Sequence, residues 1–112
     1  MPKHDDTISF RHMLDHAREA VDMITGKTPE DLSRERMLEL ALIRLVEIVG
    51  EAAGRVSEAG QADTPEIPWR EVIGMRNRLI HGYDSVDLAV LWDTVELDLP
   101  PLINHLEKIL AD

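Results

Sequence analysis

The 112-residue chain contains no cysteine, one phenylalanine, one tyrosine and two tryptophans, and its 12 basic side chains are outnumbered by 22 acidic ones. Without cysteine there is no disulfide framework, no thiolate zinc site and no cysteine nucleophile; such a composition fits a reducing, cytoplasmic setting. No apolar run approaches the ~18 residues of a membrane span. The opening MPKHDDTISF carries no apolar stretch behind its charges, so a secretory signal is not expected. A formal charge of −10 opposes nonspecific adhesion to a polyanion, because phosphate binding rests on Lys and Arg. What is present is apolar material, 44% of residues, sufficient for one core and one domain over residues 1–112.

The apolar residues recur at helical spacing. Phe10, Leu14, Ala17, Val21 and Ile24 form one stripe on a first helix, with Asp6 or Thr7 as its cap and Gly26 just past its end. Thr28-Pro29-Glu30-Asp31 is a helix start: a capping hydroxyl, a first-turn proline and acids facing the dipole. Leu38, Ala41, Leu42, Leu45, Val49, Ala52, Ala53 and Val56 then carry a second, long stripe. Residues 58–68 contain Gly60, Pro65 and Pro68 without periodicity and are expected to form a loop. A third helix begins near Pro68, with Trp69, Val72, Ile73, Leu79 and Ile80 on one broad face and Gly82 as terminator. Asp84 or Ser85 caps a fourth, carrying Leu88, Leu91, Trp92 and Val95. Pro100-Pro101 fits only the first turn of a new segment, capped by Asp98 and lined by Leu102, Ile103, Leu106, Ile109 and Leu110. No alternating strand pattern of useful length is present. The expected fold is a small all-α bundle.

Several residues outside that framework have chemical potential. Glu47 and Glu51, four apart, form a carboxylate pair suited to a hard cation, but no further oxygen ligands cluster beside them in sequence. The neighbouring Gly50, Ala52, Ala53 and Gly54 read as a small-residue face that admits a second helix. His12 and His16 share a metal-ligand spacing around Asp15, yet the HExxH glutamate is missing, and a solvated face is the better reading. No metal site and no cofactor are expected. Met13, Met23, Met37 and Met75 are expected to fill the core, and Trp69 and Trp92 to anchor it.

One segment carries chemistry: Arg76-Asn77-Arg78-Leu79-Ile80-His81-Gly82-Tyr83. Arginine grips phosphate oxygens bidentately and stabilises charge added in a transition state. An imidazole, with an ordinary pKa near ~6.5, takes a proton from a ribose hydroxyl or returns one to a leaving oxygen. Together they suit phosphodiester chemistry, and neither step needs a metal. The spacing itself is weak, since Arg11 and His16 repeat it. At ~100° per residue, five steps place Arg76 and His81 about 140° apart on an ideal helix. They converge only if the helix unwinds before His81, or if a second copy supplies one of them across a two-fold interface. The same residues have structural uses: Arg76 paired with Glu51, His81 at a helix C-terminus, Tyr83 half-buried.

Read whole, Arg76-Asn77-x-Leu79-x-His81-x-Tyr83 resembles the Rx4HxY signature of the HEPN superfamily, and within it the HepT-like toxins that pair with MntA-type minimal nucleotidyltransferase antitoxins. The likeness extends to Gly50-Glu51-Ala52-Ala53, Ile67-Pro68-Trp69 and Asp98-Leu99-Pro100-Pro101-Leu102, in the family's order. The resemblance implies a HEPN four- to five-helix bundle working as a homodimer, with both motif copies facing a shared cleft. It implies a metal-independent endoribonuclease with Arg76 and His81 as the catalytic pair and Asn77 as a supporting polar residue. The ribose 2′-hydroxyl would attack the adjacent phosphate and leave a cyclic phosphate end. Tyr83 would accept AMP from the partner nucleotidyltransferase, which silences the toxin; Gly82 stands at a position that varies in the family. A HEPN subunit that docks a nucleotidyltransferase without cleaving RNA is the alternative, since a fold does not guarantee an activity.

The charge divides in keeping with this. Residues 69–83 sum to +2 through Arg70, Arg76 and Arg78 against Glu71, while the segments before and after sum to −6 each. The acidity lies outside the motif. Two such basic patches meeting in a dimer would form one local phosphate-binding cleft.

Overall fold

The computed structural model describes residues 5–82 and 85–111, and these form an all-α bundle in which a single antiparallel bridge, Ile80 to Val86, is the only extended pairing. Helix α1 (Thr7–Ile24) buries Phe10, Met13, Leu14, Ala17, Ala20 and Ile24, the stripe expected from its period. Gly26 follows at φ +79°, a left-handed closure that glycine adopts without strain. Asp6 precedes α1 but does not cap it with its side chain. Its carboxylate instead accepts hydrogen bonds from the backbone N–H (2.9 Å) and hydroxyl (2.7 Å) of Ser57.

The predicted start at Thr28 is present as a full capping box: Thr28 Oγ1 accepts from Asp31 N–H at 3.2 Å, and the Asp31 carboxylate accepts from Thr28 N–H at 2.9 Å. The helix it opens is short. α2 (Pro29–Arg34) ends at Glu35, whose backbone is extended (φ −110°, ψ 90°), and α3 (Arg36–Gly54) begins again at once. The break lets α2 pack on the later helix at residues 88–93 with Leu32 fully buried, whereas a continuous helix would carry Leu32 away along the α3 axis. α3 packs chiefly on α1 and buries Leu42, Leu45, Val46, Val49, Gly50, Ala52 and Ala53. Gly50 admits a neighbour as expected: a Cβ there would lie 3.3 Å from the carbonyl oxygens of Val72 and Ile73. Gly54 faces open space and has no such role.

The expected loop over residues 58–68 contains a helical turn, α4 (Glu58–Ala62). The Ser57 hydroxyl accepts from Gly60 N–H at 3.0 Å, so a local cap builds a turn too short to show a period. A Cβ at Gly60 would run into the Asp6 carboxylate, so a larger residue there would displace Asp6 from Ser57. The third helix is two pieces, α5 (Trp69–Ile73) and α6 (Met75–Leu79), divided at Gly74. Ile73, expected on the buried face, is 42% exposed.

α6 ends at Leu79, earlier than Gly82. His81 N–H donates to the Ser85 carbonyl (2.9 Å) and Asp87 N–H to that of Leu79 (2.8 Å), flanking the Ile80–Val86 bridge. The following helix, α7 (Leu88–Asp93), is therefore capped by Asp87 rather than by Asp84 or Ser85. It does not stop before the prolines. A π-helical turn (Thr94–Asp98) leads into α8 (Leu99–Leu110), with Leu99 N–H donating to Thr94 C=O, five residues back. Pro100 and Pro101 supply no N–H, so two ordinary helix bonds cannot form, and the widened turn absorbs the mismatch while the axis runs on. Asp98 is helical and makes no side-chain cap, contrary to the expected restart.

α1, α3, the α5–α6 pair and the α7–α8 rod enclose one core, in which Met13, Leu42, Leu79, Leu91, Leu99 and Leu106 are fully buried. Met75 is buried with them and Met23 packs at the margin, but Met37 is 85% exposed and fills nothing. Trp92 is buried with its indole N–H on Glu96 (2.8 Å), and Trp69 stacks obliquely on Phe10 with centroids 6.0 Å apart. No helix among the described residues is long and apolar enough to cross a membrane.

Candidate active site

The motif occupies the end of α6 and the bridge that follows. Arg76 stands in the first turn of α6, just after the Gly74 break, with its side chain half-exposed. Its Nε donates to Glu47 Oε2 of α3 at 2.6 Å. Arg44, one turn before Glu47, donates Nη1 to Glu47 Oε1 at 2.5 Å and lies 3.7 Å from Glu51. The partner of Arg76 is thus Glu47 and not Glu51, because Glu47 faces α6 while Glu51, one turn on, is exposed. The two guanidiniums hold the Glu47 carboxyl below its ordinary value near 4.5: the Arg44 hydrogen bond leads, and partial burial opposes it.

His81 has left the helix. With Ile80 extended (φ −97°, ψ 119°), the imidazole no longer follows the α6 spiral, which meets the condition under which the 140° separation from Arg76 ceases to apply. Its Nε2 lies 3.4 Å from Asp87 Oδ2, so it is no helix cap, and its side chain is 61% exposed. Asp87 serves two partners, since Oδ1 accepts from Val90 N–H at 3.1 Å and caps α7. That backbone bond, above all, holds the Asp87 carboxyl below its ordinary value near 3.8; desolvation opposes it, and His81 adds a smaller lowering. Asn77 is exposed beside Arg76. Arg78 points elsewhere, 3.7 Å from Asp98 of the π turn. Tyr83 lies outside the described residues.

A concavity near the motif does not contain the pair. A cleft of about 410 Å³ between α5–α6 and the π turn is lined by Met75, Arg78, Leu97, Asp98, Leu102 and His105, among others, and neither Arg76 nor His81 lines it. Both instead stand on open surface, each backed by one carboxylate. Among the described residues no group of three or more His, Asp or Glu is placed to hold a metal ion. Glu47 and Glu51 are occupied by arginines, and His16 Nδ1–H donates locally to the His12 carbonyl at 2.7 Å.

The sequence singles out Arg76 and His81 as candidates but does not show what holds them. Glu47 reads in the sequence as half of a carboxylate pair or as helix surface, and not as the support of Arg76, which lies 29 residues on. Asp87 had a local signal, an acid three residues before the Val90 N–H it caps, masked by the earlier Asp84 and Ser85.

Comparison with known proteins agrees with this architecture. The chain is 39% identical over 105 residues to the "Probable ribonuclease HepT" of Thermococcus cleftensis, covering 90% of this chain and 96% of that protein. It is 30% identical over 112 residues to the "Putative RNase MJ0125" of Methanocaldococcus jannaschii, covering 100% of this chain and 97% of the relative. No solved structure matches the chain. The family model described as ribonuclease HepT-like matches residues 13–109, all but the ends of the bundle. The chain belongs to the ribonuclease HepT-like family, within the HEPN superfamily.

Proposed function

We propose that this protein is the toxin of a toxin–antitoxin pair, a metal-independent endoribonuclease acting in the cytoplasm through Arg76 and His81. The observation that carries the reading is the uncoiling of the motif helix after Leu79, which leaves an exposed guanidinium and an exposed imidazole on separate, anchored supports. Family membership and the ribonuclease names of its relatives support the same chemistry.

In this mechanism Arg76 neutralises a phosphate oxygen and the charge that builds on phosphorus. His81 takes the proton of the ribose 2′-hydroxyl as that oxygen attacks phosphorus. The bond to the 5′-oxygen breaks, the leaving oxygen gains a proton, and a cyclic phosphate end remains. Asn77 steadies the substrate beside the pair. The working unit is a homodimer whose two motifs share one cleft, which fits two half-sites lying on open surface rather than in a pocket of one chain. An MntA-like nucleotidyltransferase silences the enzyme by transferring AMP to Tyr83.

Arg76→Ala and His81→Ala are expected to abolish both RNA cleavage and growth inhibition while the helical circular dichroism and thermal midpoint stay within the range of exposed substitutions. Cleavage by His81→Ala at the parent rate would sink the mechanism. Stable binding of a nucleotidyltransferase by a parent protein that cleaves no RNA would instead favour a non-catalytic HEPN subunit.

A further inference from the structure

The geometry points to Asp87 as the residue that positions His81 for proton transfer, by holding its Nε2–H and so presenting the Nδ1 lone pair to the ribose hydroxyl. This rests on the reading of His81 given above. A carboxylate is only an acceptor, so the nitrogen facing Asp87 Oδ2 at 3.4 Å carries the proton, and in a neutral imidazole the other nitrogen is then the base. Asp87 is suited to the task because its place is fixed twice over. Oδ1 is held by Val90 N–H at 3.1 Å, which leaves Oδ2 directed at His81. The backbone on both sides is clamped by the bonds from His81 N–H to Ser85 C=O and from Asp87 N–H to Leu79 C=O. The Val90 N–H also keeps the carboxyl ionised, through the depression of its proton affinity. One residue thereby starts α7 and selects the imidazole tautomer.

The two jobs separate by substitution. Asn and Ser both cap helices about as well as Asp, so Asp87→Asn and Asp87→Ser should fold with near-parent thermal midpoints. In Asp87→Asn the amide oxygen takes the Val90 bond and the amide N–H₂ faces His81, which draws the lone pair to Nε2 and leaves the proton on Nδ1. In Asp87→Ser the side chain is too short to reach the ring, which is left unbiased. The expected order of kcat on a 5′-labelled randomised-sequence RNA is therefore parent, then Ser, then Asn, with Asn at least ~10-fold down and KM little changed. Ring nitrogen NMR of His81 in the full chain should report Nε2–H in the parent and Nδ1–H in Asp87→Asn.

A helix-capping role alone would give Asn and Ser equal activity, and that result overturns the inference. So does parent kcat in Asp87→Asn, or an unchanged tautomer, while His81→Ala is inactive; the proposed function then stands. Parent-rate cleavage by His81→Ala removes both.

Discussion

Glu47→Gln tests how much of the site is held by charge. Glu47 is the common acceptor of Arg44 at 2.5 Å and Arg76 at 2.6 Å, and its side chain is 23% exposed while the arginines are 60% and 50% exposed. Exposed ion pairs contribute ~0–1 kcal/mol each, and solvent reaches both cations here, so the two together should be worth about 1 kcal/mol. For a chain of this size that is a fall of roughly 4 °C in thermal midpoint. The pH dependence is more diagnostic. A carboxyl held below its ordinary value contributes stability above that value, near 4.5, and loses it as the pH falls through the folded-state value. The parent and Glu47→Gln should therefore differ at neutral pH and converge in acid, below the window that opens at about 4.5. The gap should also narrow in ~1 M salt, where the screening length is ~3 Å. Thermal melts followed by circular dichroism across these conditions decide it. A gap that is as wide in acid as at neutrality would refute the electrostatic account and leave packing as the cause.

Two glycines should respond in opposite directions to alanine. Gly26→Ala places a side chain at φ +79° in otherwise open space, so backbone strain alone should cost about 1 kcal/mol. Gly54→Ala, inside the last turn of α3 with nothing within 4 Å, should gain up to ~1 kcal/mol, and denaturant midpoints at unchanged slope would measure both. Leu91→Ala, at a fully buried position of α7, should cost ~2–5 kcal/mol by urea unfolding; a loss under 1 kcal/mol would mean the rod is not seated in the core as described.

What could be read from the chain was what its physics makes local. The Thr28–Asp31 box closes within four residues, and Gly26 stands where a helix must turn back, so both were legible. The break at Glu35 was not, because the gain comes from Leu32 reaching α7, more than fifty residues away. The prolines at 100 and 101 were correctly placed in a first helical turn, but the expected restart gave way to a π turn. Burial explains that: Leu91, Trp92, Val95, Leu99, Leu102 and Leu106 are all buried along one line, so keeping the rod continuous outweighs two lost hydrogen bonds. Met37 shows the converse, an apolar residue whose helix position faces away from every neighbour. The motif residues read in the sequence as candidate chemistry, while their supports do not, since Glu47 joins Arg76 only through the packing of α3 on α6.

The net charge of −10 and the phosphate-binding role proposed for Arg76 are reconciled by which nitrogen Glu47 takes. A guanidinium offers five N–H donors in a planar fork. Glu47 engages Nε, on the inner edge, and among the described residues no hydrogen bond occupies the two terminal nitrogens. Those are the ones that match a phosphate bidentately. The carboxylate thus orients the plane of Arg76 and leaves its outer edge open to a phosphodiester. The same arrangement limits the field around the site, because Arg44, Glu47, Glu51 and Arg76 sum to zero. With −6 on each flanking segment and only +2 over residues 69–83, long-range attraction to a polyanion is weak, and the proposed contact at Arg76 would be short-ranged and geometric. Binding of that kind should depend shallowly on salt, in contrast to a basic protein that tracks a nucleic-acid backbone.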